Sequence, residues 1–173
     1  MTSPFNEVSA NYLERGFSII PIAPGQKYPG EFDGHRWQPT RGWNIYVGRY
    51  MTEDEVDTAS TWAGCSIGLC PGRLSGVVAL DRDYDGGVSE ILDALIPPSP
   101  VRKVGSKGYT AFYKYSGEIT RRWSVGGERV LELLSDGTQT VLPPSGHPET
   151  GRPYHWETVD DLLSIDLDDL PTL

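Results

Sequence analysis

Asp81 and Asp83 stand at alternate positions where a short apolar run, Ser75-Gly76-Val77-Val78-Ala79-Leu80, gives way to Tyr84-Asp85-Gly86-Gly87. Side chains at i and i+2 of an extended strand share one face, so both carboxylates are expected to project together from the end of a buried strand. Adjacent like charges repel unless something neutralises them, and a divalent cation with oxygen ligands is the usual solution. The spacing therefore predicts a metal site on a rigid element. Two other readings compete with it. Acids after a buried strand often form no more than a solvated turn. Asp81, Asp83, Asp85 and Gly86 also match the opening of an EF-hand calcium loop. That motif needs a bidentate Glu where this chain has Leu92, and a helix where Val77 to Leu80 favours a strand.

Two carboxylates seldom suffice for two-metal phosphoryl chemistry, so a third is expected on a neighbouring strand. Glu132 is the lone charge in Val130-Leu131-Glu132-Leu133-Leu134. An acid inside such a run is costly to bury unless paired or metal-bound, the alternative being that it faces solvent. Asp136 is explained by its Asp-Gly turn. Gly105-Ser106-Lys107-Gly108-Tyr109-Thr110 lacks Walker A spacing, yet such a loop can offer backbone N–H groups and Lys107 to phosphates. Pro143-Pro144-Ser145-Gly146-His147-Pro148 places a hydroxyl and an imidazole two residues apart between prolines that restrict the backbone. Without that restriction, a lone loop histidine is ordinary surface decoration.

These groups need a scaffold, and the chain of 173 residues is long enough for one core, built from two packed modules. Phe5, Val8, Tyr12 and Leu13 recur at helical spacing within 5–15, and Gly16 stops the helix. Residues 17–22 read as a strand, 23–42 as a long loop, and Thr52-Glu53-Asp54-Glu55 as the capping-box start of a helix to about Trp62. Strands are expected over 65–69, 77–83, 110–115, 129–134, 138–142 and 154–156. Helices are expected over 88–95 and from Asp160 to Leu163. Ser135-Asp136-Gly137 reads as a hairpin turn joining two of the strands. Helices packed on a mixed or antiparallel sheet give an α+β class.

Composition narrows the function classes. No apolar run approaches bilayer length, the N-terminus lacks the basic and apolar regions of a secretory signal, and Cys65 and Cys70 are too few for a disulfide framework or a zinc site. A cytoplasmic protein with reduced thiols is expected. The net charge of −9 is unevenly spread: residues 157–173 hold six acids and no base, and without them eighteen acids face fifteen bases, a net of −3. Over 101–130 seven bases, among them Arg102, Lys103, Lys107, Lys114, Arg122 and Arg129, face only Glu118 and Glu128. A local +5 beside clustered carboxylates suits a site handling phosphates and metal together, although a solvated basic face has the same composition.

The order of these segments resembles the primase-polymerase (prim-pol) domain of plasmid and phage replication proteins, within the archaeo-eukaryotic primase superfamily. The resemblance runs through Tyr12 to Ile22, Pro24 to Pro29, Ile67-Gly68-Leu69, Ser75 to Asp83, Gly105 to Gly108, Leu131-Glu132, Val141 to Pro148 and Gly151 to Trp156. It implies an archaeo-eukaryotic primase-like fold: a mixed sheet with an RRM/ferredoxin-like catalytic module plus an N-terminal α/β module. The family's D-x-D motif falls on Asp81 and Asp83, and its apolar-acid motif on Leu131-Glu132. Its second motif fits Ser106 and Gly108, but Thr110 takes the usual histidine position, leaving Lys107, Lys114 and His147 as candidate substitutes. The resemblance implies template-directed nucleotidyl transfer, with Asp81, Asp83 and Glu132 as catalytic ligands of two Mg²⁺ or Mn²⁺ ions. Ser106, Lys107, Thr110, Lys114, Ser145 and His147 would form the nucleotide site. Single-stranded DNA, a dNTP or NTP, and downstream helical and helicase domains would be the partners, in the host cytoplasm if the protein is phage-encoded. Residues 1–156 would then form the catalytic domain and 157–173 an acidic segment leading onward, so that primers would be extended more readily than started. Lys27 could contact nucleotide or template, and Trp37, Trp43 and Trp123 could stack on bases or serve as anchors. A non-catalytic single-strand-binding module and a metal-dependent nuclease are the alternative functions.

Overall fold

Ser3 starts the first helix, its Oγ accepting from Asn6 N at 3.2 Å, and Pro4 sits in the first turn where its missing N–H is harmless. The resulting α1 spans Pro4–Glu14 in a computed structural model that describes residues 2–84 and 86–173. Asp85, which entered the calcium-loop comparison, lies outside the described residues. Strand β1 (Ile19–Ile22) follows, then two short strands, β2 (Gly30–Phe32) and β3 (Trp37–Pro39), inside the stretch expected to be loop. Thr52 and Glu55 close the reciprocal capping box that begins α2 (Glu53–Ser60). The buried β4 (Ser66–Leu69) and β5 (Val77–Arg82) come next, then α3 (Ser89–Leu95) and β6 (Arg102–Val104). The chain continues through β7 (Tyr109–Lys114), β8 (Arg121–Val125), β9 (Glu128–Leu134), β10 (Thr140–Val141) and β11 (His155–Trp156).

The strands form a three-stranded sheet ordered β1-β4-β10, a six-stranded sheet ordered β11-β6-β7-β5-β9-β8, and the β2-β3 hairpin. Every strand pair among the described residues is antiparallel, so the sheet expected as mixed is antiparallel. The class is α+β, with few helices. One core joins both larger sheets: Phe5, Tyr12, Phe17, Ile19, Ile67 and Leu69 cluster with Val77, Ala79, Phe112 and Leu134. Strand alternation sends Val78, Leu80, Ala111, Tyr113 and Leu133 to the opposite face of the large sheet, where Ile96 packs on them.

Several expectations are corrected. Ser135-Asp136-Gly137 does turn the chain, with Thr138 N donating to Ser135 O, but β9 and β10 then enter different sheets and form no hairpin. Asp136 accepts instead from Arg73 N at 3.1 Å, tying the turn to the loop before β5. The helix expected from Asp160 is a turn, because the Asp161 carboxylate takes Leu163 N and Ser164 N at 2.8 Å each and so competes with helical bonding. Residues 157–173, set apart by their charge, pack on the domain through buried Leu162, Ile165 and Leu170, and Lys114 N donates to Pro171 O at 2.9 Å. No apolar alternation marks β8 in the sequence, since all five of its residues are exposed and two are arginines.

Candidate active site

The register of the large sheet lines up one residue from each of five strands. Lys103 lies opposite Thr110, Thr110 opposite Asp81, Asp81 opposite Glu132, and Glu132 opposite Arg122. Directly opposed residues of an antiparallel pair carry Cβ atoms about 5 Å apart on one face. Two carboxylates are therefore side by side at the centre of the row, bracketed by cations at its ends. Opposed like charges destabilise a sheet unless compensated. The row forms one wall of a cleft of about 460 Å³ that Asp83, Lys27, Ser106, Lys107, Arg129 and His147 also line.

Asp81 is half-buried, and desolvation raises its pKa above the ordinary carboxylate range. Lys103 and the Thr110 hydroxyl oppose that rise; Thr110 Oγ1 donates to Asp81 Oδ1 at 2.6 Å. One carboxylate oxygen is thus oriented by a hydrogen bond, on a residue that lines the cleft. Asp83 is exposed, with Lys107 Nζ 3.8 Å from its Oδ1. Glu132 is 12% exposed and accepts from Arg122 Nε at one oxygen and from Arg129 Nη1, at 2.9 Å, at the other.

The loop between β6 and β7 approaches this wall through glycines. Gly108 has φ +59°, and a Cβ there would sit 1.8 Å from the Arg82 carbonyl oxygen. At Gly105 a Cβ would press on the rings of Tyr154 and His147, at 2.7 and 2.9 Å. Buried His147 stacks at a tilt on Tyr154, with ring centres 5.1 Å apart, and its Nδ1 accepts from Glu149 N at 3.2 Å. That bond assigns the proton of the neutral ring to Nε2. Burial first, then Lys27, lowers its pKa, so the imidazole is neutral at physiological pH.

Two expected site residues lie elsewhere. Lys114 is opposite Val77, at the far end of β5 from Asp81, and pairs with Asp168 at 2.5 Å. Strand direction alone separates it from the cleft. Ser145 is fully buried beneath the Pro-Pro loop, where its Oγ accepts from Ile67 N at 2.9 Å and ties the loop to β4. Ser145→Ala is expected to cost about 1–3 kcal/mol by leaving that N–H unpaired. Chemical denaturation would measure the loss.

Lys103 is the cleft residue that motif reading passed over, since a base in a basic stretch looks like solvated surface. It is 4% exposed, its Nζ donates to Thr140 Oγ1 at 2.7 Å and to Val141 O, and it lies over the Tyr154 ring. Burial pushes its pKa down to about 8, against the pull of Asp81. Between about 8 and the ordinary 10.5 the unfolded chain therefore holds a proton that the folded chain lacks at this position. The stability of the wild type relative to Lys103→Met should rise with pH across that window. Paired denaturant titrations would show it, and a difference that stays flat would contradict it.

Three carboxylates are hard oxygen donors suited to Mg²⁺ or Mn²⁺. Asp81 and Asp83 fit that role directly. Glu132 fits by donor type and register, but the arginines occupy both of its oxygens. Among the described residues no three His, Cys, Asp or Glu side chains are already gathered about a common point. No helix among those residues is long and apolar enough to cross a membrane.

Comparison with known families matches residues 9–173 to the model described as Prim-Pol, bifunctional DNA primase/polymerase, N-terminal. No curated protein matches the chain significantly.

Proposed function

The chain belongs to the Prim-Pol family of DNA primase/polymerase domains, as the order of its segments implied, and on that footing we propose that its cleft performs template-directed nucleotidyl transfer on primed single-stranded DNA. The observation that carries this reading is the opposed Asp81–Glu132 pair at the centre of a cation-bracketed row, with Asp83 on the same cleft wall. The finer fold assignment, an archaeo-eukaryotic primase-like sheet, is part of the proposal, as is a role in phage or plasmid replication.

Asp81, Asp83 and Glu132 would hold two divalent ions, Mg²⁺ or Mn²⁺. When bound, such ions lower the pKa of an attacking 3′-hydroxyl and neutralise charge on a leaving pyrophosphate. The chain's own contributions are positional. Thr110 fixes the rotamer of Asp81 through its 2.6 Å bond. Lys103 offsets the field of that carboxylate from below, held by Thr140 and Val141 rather than free to swing. Lys27, Lys107 and the exposed hydroxyl of Ser106 present positive charge and a donor for the triphosphate at the cleft mouth. Neutral His147, protonated at Nε2, supplies a hydrogen bond without adding charge. Trp43 on the rim offers a stacking surface for a base.

A labelled primer on a single-stranded template, incubated with dNTPs or NTPs and Mg²⁺ or Mn²⁺, would test the reading. Metal-dependent lengthening is the expected result. Shortening without nucleotide would point to a nuclease, and retention of the strand without either change to a binding module.

A further inference from the structure

Glu132 is clasped from two elements: Arg122 comes from the edge strand β8, and Arg129 from the start of β9. Each arginine takes a different oxygen, so both lobes of the carboxylate are engaged. The Glu132 side chain is 12% exposed, whereas the two arginine side chains are 58% and 56% exposed, and all three line the cleft. A guanidinium does not deprotonate in proteins, so its charge persists and a cation arriving at Glu132 has to compete with it. Each pair is open to solvent on its arginine side, which weakens it and lets a stronger cation displace it.

We infer that Arg122 and Arg129 form a latch that competes with a divalent ion for the oxygens of Glu132 and, once displaced, turns to the phosphates of the incoming nucleotide. The inference rests on the nucleotidyl-transfer reading for the ion's presence. The β8–β9 hairpin ends in Gly126–Gly127, both at positive φ, between the two arginines. Both arginines already line the cleft with Asp81 and Lys107, beside the place a bound nucleotide would occupy. A planar guanidinium matches phosphate oxygens as well as carboxylate oxygens. Phosphates that capture the arginines take them from Glu132, and this tightens the ion; by linkage the ion tightens the nucleotide equally. The ion and the nucleotide would then enter as mutual promoters, and Glu132 would hold an ion less tightly in an empty cleft.

Mn²⁺ titration of the whole chain without nucleotide, followed by the paramagnetic resonance of the free ion, tests the latch. Arg122→Gln with Arg129→Gln should bind Mn²⁺ about fivefold to tenfold more tightly than the wild type, as two ion pairs open to solvent on their arginine side would allow. Each single variant should fall between. In a Glu132→Gln background the arginine changes should make no difference. Thermal melts of each protein would establish that it is folded, which the exposure of both arginines favours. Unchanged or weaker Mn²⁺ binding by the double variant would overturn the latch and leave the arginines as mere positioners of Glu132. Failure of every protein, wild type included, to bind Mn²⁺ would overturn the ion reading and the latch with it.

Discussion

Replacing Asp81 and Asp83 together by asparagine is expected to lower metal-dependent nucleotide incorporation by about a thousandfold or more, the scale of losing electrostatic stabilisation at a reacting phosphoryl group. Binding of single-stranded DNA should persist, because Lys27, Lys107 and the arginines are untouched. The fold should persist too. Desolvation works against a charged Asp81, so a neutral isostere relieves that burden while Thr110 can still donate to the amide oxygen. Asp83 is exposed, and the ion pair it loses among the described residues is the one with Lys107. Primer extension beside a filter-binding assay and a thermal melt separates the outcomes. Extension that survives within tenfold of the wild type would sink the assignment of these residues, whatever the family.

The second large effect falls on stability. Gly108→Ala is expected to destabilise the protein by roughly 3 kcal/mol or more, combining the left-handed backbone with a backbone clash. At φ +59° a Cβ would meet the Arg82 carbonyl oxygen at 1.8 Å, and neither atom sits on a flexible side chain. Arg82 is opposite Tyr109, one residue from the Asp81–Thr110 pair, so any relief must pry open the β5–β7 ladder where the carboxylate is oriented. Urea denaturation should show the loss, and the surviving folded fraction should extend primers poorly. An alanine tolerated within 1 kcal/mol would mean that the loop moves freely against β5, and that the ladder end is not the rigid support described above.

The two halves of the site were unequally visible in the sequence. Asp81 and Asp83 were legible because alternation at the end of an apolar strand is a local property, set by a period of two residues. Glu132 stood out by contrast with its apolar neighbours. Ser145 was misplaced because a hydroxyl in a Pro-rich loop looks the same whether it faces a ligand or caps a strand amide. Lys114 was misplaced because its basic neighbourhood carries no information about which end of β7 faces the cleft. Lys103 was passed over for the converse reason: burial is a property of what packs on a residue, and its partners Thr140 and Val141 are distant in the chain.

The elements follow the same division. The capping box of α2, the extent of α1, the buried strands β1, β4 and β5, and the acidic strand end are short-range features, so residue order alone specifies them within a residue or two. The family, too, was readable from segment order. Which strands become neighbours was not, since pairing is settled by burial across the whole chain. The turn at Asp136 sends β10 to the small sheet because Val141 and Leu142 find their apolar partners there. Only that assembled sheet sets Lys103, Thr110, Asp81, Glu132 and Arg122 in a single line, for a transverse row gathers residues from five strands and exists only once register is fixed.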